Sequence, residues 1–371
     1  MRVLVTGGAG FIGSHLVDAL LREGHAVRVY DSFDAQVHGG KRPDYLNKEA
    51  EYRDGDVRDR SSLRQALQGM DVVFHEAAAV GVGQSMYEIE RYVSANVLGT
   101  ACLLDVIVND KVPLKKLIVA SSMSIYGEGQ YACPRCGPVA PSLRPVSQLR
   151  AHQWEMRCPQ CGNTASPRPT AEAKPLIPTS VYAVSKRDQE ELCLTGGRSY
   201  ELPTVALRYF NVYGTRQALS NPYTGVCAIF SARIKHRKPP IVFEDGGQSR
   251  DFVHVRDIVR ANLLVMKDAR ADYDTFNVGT GQPVSIAQIG AMLAELYGIP
   301  EATPEITLKY RAGDIRHCVA DVAKLRALGF APSVPLADGL RELVAWGRQV
   351  EAVDRVESAA RELETRGLTQ G

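Results

Sequence analysis

Tyr182 and Lys186 stand four residues apart in Tyr182-Ala183-Val184-Ser185-Lys186. On a helix that spacing puts both side chains on one face. A free tyrosine ionises at a pH of about 10 and is a poor base at neutral pH. A neighbouring ammonium favours the phenolate, and a second cation beside it favours it further. Lowering the pKa by about three units takes roughly 4 kcal/mol of differential stabilisation, which two cations in a dry pocket can supply. Upstream, Ser122-Met123-Ser124-Ile125-Tyr126-Gly127 closes an apolar run from Lys116 to Ser121. A serine there can donate to a substrate oxygen while the tyrosine removes a proton. Alone, a Tyr-x-x-x-Lys pair is a frequent accident, so its meaning rests on what positions it.

A second chemistry lies between these segments, in a stretch of 59 residues. It holds Cys133-Pro134-Arg135-Cys136-Gly137 and Cys158-Pro159-Gln160-Cys161-Gly162, with 21 residues between the pairs. Two such knuckles read as a zinc ribbon. Four thiolates, Cys133, Cys136, Cys158 and Cys161, form a closed tetrahedral shell that suits structural zinc and leaves no open position for catalysis. Metal would fold a segment too small for its own core. A redox disulfide pair is the alternative, disfavoured by the symmetry of the two knuckles. Cys102, Cys193, Cys227 and Cys318 fall in apolar surroundings and read as core or pocket residues.

The positioning elements begin at the N-terminus, with Met1-Arg2-Val3-Leu4-Val5-Thr6-Gly7-Gly8-Ala9-Gly10-Phe11-Ile12-Gly13. Val3 to Val5 read as a buried strand. Phe11, Leu16, Ala19 and Leu20 then mark one side of a helix. Gly7 permits the turn, Gly10 lets backbone approach a pyrophosphate at the positive end of the helix, and Gly13 lets helix and strand pack closely. Gly7, Gly10, Phe11, Ile12 and Gly13 are therefore candidate dinucleotide contacts. A second strand ends in Asp31, 18 residues past Gly13, where an acid bonds the adenosine ribose. Asp31 repels a 2′-phosphate and no Arg directly follows it, so NAD is expected rather than NADP.

Further strands and helices alternate along the first half. After a polar loop, Ser32 to Lys48, Tyr52 to Val57 ends in Asp56 and Val57, candidates to accept from and donate to an adenine ring; Asp56 also reads as a turn residue. Ser61 or Ser62 caps a helix through Leu67. Asp71 to Ala79 is a buried strand ending in small residues, and Ala77 and Ala78 let a flat cofactor lie on the backbone. A helix from Ile89 to Asn109 carries Asn96, either a brace for the catalytic loop or an ordinary satisfied buried amide. This alternation predicts an α/β chain with a Rossmann-type, doubly wound parallel sheet and its site at the strands' C-terminal ends.

Together these segments resemble the extended short-chain dehydrogenases/reductases, within the nucleotide-sugar epimerase/dehydratase group. The resemblance runs to about residue 330. It rests on the glycine fingerprint, Asp31, Asp56-Val57, Asn96, Ser122, Tyr182-x-x-x-Lys186, Arg208-Tyr209-Phe210-Asn211-Val212-Tyr213-Gly214, Arg250-Asp251-Phe252-Val253-His254-Val255 and Arg311-Ala312-Gly313-Asp314. It implies resident NAD and a cycle in which Tyr182 deprotonates a sugar hydroxyl, a ketosugar forms, and hydride returns to its other face. It implies that Asn211, Arg250 and Arg311 hold a nucleotide-diphosphate sugar, the two arginines clamping phosphate, with Asp314 on Arg311 or a ribose; for each Arg the plain alternative is an ion pair. It implies a homodimer through the Asn96 and Tyr182 helices. Where dehydratases of the group carry an Asp-Glu pair stand Met123 and Ser124, which favours simple inversion, most often at C4. The insertion resembles one associated with C4 inversion of dTDP-L-rhamnose to dTDP-6-deoxy-L-talose. UDP-sugar epimerases, dehydratases, decarboxylases and a non-catalytic NAD-binding sensor are the alternatives. Because the insertion leaves beside Ser122 and returns before Tyr182, it is expected near the substrate mouth, with Arg144, Arg150 and Trp154 within reach of the sugar.

The expected organisation is a NAD-binding domain over 1–210 with the insertion at 128–177, an interleaved smaller C-terminal substrate lobe over 211–350, and a charged tail, 351–371, that reads as a fraying helix. With 371 residues the chain can hold a large core, and 45% apolar and 23% charged residues are ordinary for a soluble protein. A net charge of +2 gives no electrostatic case for nucleic acid or a membrane surface. No apolar run is expected to reach membrane-span length, and a first strand at residue 2 leaves no room for a signal peptide, so a cytoplasmic protein is expected.

Overall fold

The computed structural model describes residues 1–223, 225–311 and 313–370. Its centre is a seven-stranded parallel sheet formed by β1 (Arg2–Thr6), β2 (Ala26–Asp31), β3 (Glu51–Asp54), β4 (Val72–His75), β5 (Lys116–Ser122), β6 (Thr204–Tyr209) and β7 (Asp274–Val278). The spatial order is β7-β6-β5-β4-β1-β2-β3. Strands covered on both faces need apolar residues in succession, not alternation, as in Val3-Leu4-Val5. Val3 and Val5 pack with Leu16 and Leu20 of helix α1 (Phe11–Arg22), whereas Leu4 joins Leu63 and Leu103 on the opposite face. The strand order reverses between β1 and β4, which opens a crevice at their C-terminal ends.

On the Leu4 face lie α2 (Arg60–Leu67), α3 (Ile89–Asn109) and α4 (Val181–Ser199). Asp59 caps α2 by accepting from the amides of Ser61 and Ser62, two to three residues earlier than the expected Ser61 or Ser62, because its carboxylate reaches both donors. Helix α3 corrects the expectation about apolar runs: by length and hydropathy it is long and apolar enough to cross a membrane. Here Leu103, Val106 and Ile107 spend that character against α2, α4 and the sheet. Its middle, Val93–Leu98, is a π-helical turn.

The other face is covered by α1 and α5 (Val255–Lys267), so the second half of the chain returns to complete the large sheet with β7. Its remaining elements build a smaller lobe around Phe230, Phe252, Leu293 and Leu340, with short strands at Asn211–Tyr213, Ser249–His254, Pro283–Ser285 and His317–Cys318. The insertion is a three-stranded antiparallel sheet of Gln130–Cys133, Gly137–Val139 and Ser166–Arg168. The tail differs from the fraying helix expected of it. Helix α6 (Val356–Thr365) buries Ala359 and Leu363, Arg366 lies 4.2 Å over the Tyr87 ring, and Thr369–Gln370 pairs antiparallel with Tyr310–Arg311.

Candidate active site

The glycine loop follows β1 directly. Gly7 has φ +68°, and a Cβ there would lie 2.7 Å from the Ala77 amide. A Cβ on Gly13 would collide with the Gly7 carbonyl. The loop is therefore locked against both β4 and α1, and the first-turn amides of α1, at Phe11 and Ile12, are left without helical partners. Gly10, the N-cap, offers no side chain to fill that space. Asp31 ends β2 beside it, accepting from the amides of Ala9 and Phe33 at 2.9 Å each. This cradle fits the diphosphate and ribose of a dinucleotide. Asp56 lies on the β3 side, where Arg58 hydrogen-bonds its carboxylate and holds it below the usual range; Val57 follows it.

The chemistry-bearing residues meet at the ends of β4, β5 and α4. Ser180 caps α4 by accepting from the Ala183 amide at 3.1 Å, which fixes Tyr182 in the first turn. The Tyr182 amide donates to Ser85 Oγ at 3.0 Å. Ser122 Oγ accepts from Ser124 Oγ at 2.9 Å and lies near enough to the Tyr182 phenol to draw its pKa down. Lys186 is 3% exposed, and burial lowers its pKa to about 8. Its ammonium donates to the Ala120 carbonyl and to Gln189 Oε1, not to Tyr182. Burial raises the Tyr182 phenol, and Ser122 only partly offsets it. The lysine expected to lower that pKa is thus turned toward the backbone, and the protein alone leaves Tyr182 a neutral acid.

Asn96 faces inward from the π turn. Its oxygen accepts from Ala79 N at 2.7 Å; its nitrogen donates to Ala79 O at 3.0 Å and Ser185 Oγ at 2.9 Å. It ties the small-residue loop at Ala77 and Ala78 to the Tyr182 helix, so the brace and the satisfied amide are the same fact. In the small lobe, Asn211 opens a strand beside Phe252. Arg311 bonds Asp314 at 2.9 Å and stacks 4.7 Å over Phe243. Arg250 donates to the carbonyls of Ser249, Ile315 and Arg316, so its fork holds the segment that follows Arg311.

Glu76 was not singled out from the sequence, since nothing local marks it. It follows β4 between Gly7 and Ser122 in the sheet order, accepting from Tyr209 Oη at 2.8 Å, while Asn262 donates to that same hydroxyl at 2.7 Å. Burial pushes its carboxyl up to about 7 against the pull of Tyr209 and Lys186. A folded pKa raised above the unfolded one gives stability that is full below the ordinary carboxylate range and lost as pH rises through the folded value. Glu76→Gln stays neutral throughout. The melting temperature of the variant minus that of the parent should therefore grow from pH 5 to pH 8, by on the order of 2 kcal/mol in stability. A gap that does not change with pH in thermal melts would contradict this.

The insertion gathers its four cysteines. All four sulfurs lie within 4.8 Å of one another, with Cys133 and Cys161 at 3.5 Å. Burial raises the Cys133 thiol, but the amides of Arg135 and Cys136 and the sulfurs of Cys161 and Cys158 outweigh it and bring it to about 7. Of the residues expected near the sugar, Arg144 is instead buried on Glu244, Trp154 packs against Tyr310, and Arg150 is exposed. Cys193, Cys227 and Cys318 are buried apart from the cluster.

The doubly wound sheet brings Ser122, Tyr182 and Lys186 together at its strand ends, beside the glycine loop. The chain belongs to the NAD dependent epimerase/dehydratase family, whose profile matches residues 3–147 and 159–279. It is 34% identical over 349 residues to a dTDP-L-rhamnose 4-epimerase of Burkholderia thailandensis, covering 93% of this chain and 94% of that one. It is 30% identical to a UDP-glucuronate 4-epimerase of Thermodesulfobacterium geofontis, covering 93% and 96%. Among solved structures, the UDP-glucuronic acid 4-epimerase of Bacillus cereus with UDP-glucuronic acid and NAD superposes with a TM-score of 0.77 at 28% identity, covering 95% and 100%. The UDP-glucose 4-epimerase of Thermotoga maritima with UDP-glucose gives 0.75 at 32%, covering 94% and 99%.

Proposed function

We propose that the protein is a nucleotide-sugar 4-epimerase with tightly held NAD, and that its substrate pair is dTDP-L-rhamnose and dTDP-6-deoxy-L-talose. The observation that carries the reaction is the placing of Ser122 against Tyr182 with Lys186 buried behind them, beside Met123 and Ser124 in place of an acid pair. Neither Met nor Ser acts as a general acid or base at neutral pH, which favours inversion over elimination. Bound NAD would supply the hydride acceptor and donor for the sugar carbon. Tyr182 removes the hydroxyl proton and gives it back, Ser122 donates to the same oxygen, and the Lys186 ammonium supports the phenolate once it turns from Ala120 and Gln189 toward Tyr182. Gly7, Gly10, Phe11, Ile12 and Gly13 hold the pyrophosphate, Asp31 the adenosine ribose, and Asp56 and Val57 the adenine. Asn211, Arg250, Arg311 and Asp314 serve the nucleotide diphosphate of the sugar. The relative at 34% identity supports the lean to the dTDP sugar; the UDP-sugar relatives support the alternative.

The test is proton NMR of the purified protein with dTDP-L-rhamnose and, separately, UDP-glucose, without added NAD. Two interconverting C4 epimers of unchanged mass establish the reaction, and the faster substrate decides the base and sugar. No change with either rejects this substrate assignment.

We further assign structural zinc to Cys133, Cys136, Cys158 and Cys161. The expected result is about one zinc per chain by metal analysis, with chelation opening the insertion to protease while the NAD domain stays resistant. Well under one zinc per chain would remove the assignment. A homodimer is supported by the apolar residues that α3 and α4 leave exposed, Ile89, Val93, Leu98, Val184 and Leu192. We place the enzyme in the cytoplasm.

A further inference from the structure

The insertion is fastened to the small lobe by buried charges rather than by apolar contact alone. Arg144 and Glu244 form a two-pronged pair at 2.9 and 2.7 Å, with side chains only 2% and 1% exposed. The same two terminal nitrogens of Arg144 also donate to the Trp154 carbonyl and the Asp314 carbonyl, each at 3.0 Å, while its Nε is buried without a partner among the described residues. Glu155, the next residue, receives Arg316 at 2.6 and 3.0 Å and His317 at 3.2 Å. Arg316 in turn reaches Glu244 at 3.1 Å and Asp245 at 2.6 Å. From the inner side, Glu128 accepts from the amides of Arg316 and His317. The segment 314–317 is therefore held from the insertion by Glu128, Arg144 and Glu155, and from the small lobe by Glu244 and Asp245.

That segment follows the strand Tyr310–Arg311 in sequence and is also held by the Arg250 fork. Glu155 is placed in turn by its neighbour Met156, buried against Tyr131, Cys133 and Cys158. A chain of contacts thus runs from the cysteine cluster to the residues assigned to the nucleotide diphosphate. We propose that Arg144 and Glu155 are positioning residues for nucleotide-sugar binding, and that the insertion sets substrate affinity by fixing the 314–317 segment, whose Asp314 bonds Arg311. This rests on the epimerase reading above, and it makes the insertion part of substrate recognition without touching the sugar. Tyr182, Lys186 and the glycine loop lie outside this chain of contacts, so the chemical step and NAD are left alone.

The experiment is calorimetric titration of the NAD-containing protein with dTDP and with UDP, for the parent, Glu155→Gln and Arg144→Lys. Glu155 is 47% exposed in its side chain, and without its charge Arg316 keeps Glu244 and Asp245, so Glu155→Gln remains folded even if Arg144→Lys does not. Loss of a charge-assisted grip on the segment should weaken the better-bound nucleotide about tenfold and raise KM by the same factor, with kcat and NAD content unchanged. Restoring the carboxylate one methylene shorter, in Glu155→Asp, should recover part of the affinity. Affinity within twofold of the parent in Glu155→Gln, or a fall in kcat at constant KM, overturns the proposal. Failure of the parent to bind either nucleotide overturns the epimerase reading and this proposal together.

Discussion

Tyr182→Phe is expected to lower epimerase turnover about a thousandfold, with NAD content and thermal stability close to those of the parent. In the proposed mechanism the phenol is the proton-transferring group, and the substitution removes only its hydroxyl. Its ring still packs edge-on to Tyr92, with centroids 6.3 Å apart. The helix that carries it keeps its Ser180 cap and its amide bond to Ser85. Burial holds the resting phenol neutral, and Lys186 is turned toward Ala120 and Gln189. The cation that ionises it must therefore arrive with the oxidised nicotinamide, or with Lys186 reoriented by the bound cofactor. Turnover by NMR and absorbance of released cofactor check this together. Activity within tenfold of the parent would remove Tyr182 from the chemistry; loss of NAD along with activity would make its role one of binding.

The largest expected effect on stability lies one layer deeper. Arg208 on β6 donates to Glu190 on α4 at 2.6 and 3.0 Å, to Tyr126 Oη at 2.8 Å and to the Glu172 carbonyl at 2.9 Å. Ser121 on β5 closes the network onto Glu190 at 2.6 Å. Arg208 and Glu190 are both nearly inaccessible. Removing one partner strands a buried charge, so Arg208→Met should cost about 3–5 kcal/mol, or about 5 °C in a chain of this length. Pairing it with Glu190→Leu should recover much of the loss, because an apolar pair needs no counter-charge. A double variant less stable than both singles would mean that the network is needed for packing rather than for charge balance. The same residues hold the strand that ends at Ser122, so the fold's ionic core and the site share a support.

Much of the site was legible because its parts are local. The glycine loop after β1, Asp31 at the end of β2 and the placing of Tyr182 and Lys186 on one helix follow from short patterns in the sequence. Partners far apart in sequence left no such trace. Nothing near Arg144 points to Glu244, 100 residues on, so a buried clamp read as a residue free to reach the sugar. Glu76 likewise gains its environment only when β4 and β6 carry it to Tyr209. The tail reads as solvated because its apolar stripe is narrow. Ala359 and Leu363 are four apart amid charges, and only the surface near Gly83 makes that stripe worth burying. The lysine's direction was also beyond reach, since helical spacing gives a face and not a rotamer.

The π-helical turn at Val93–Leu98 bears on which changes of chain length the protein tolerates. One residue more than an α-helix would hold there lets Asn96 point at Ala79 while Thr100, four positions on, still meets His75 at 3.0 Å and Gln189 at 3.0 Å. Deleting any single residue of the turn would remove the bulge and restore regular α-helical winding through it. Asn96 or Thr100 would then leave its partners, whichever residue was removed. Natural variation in this stretch should consequently run to exchanges of side chain at constant spacing, and an alignment gap placed here would mark a chain that has lost the brace between its cofactor loop and its tyrosine helix.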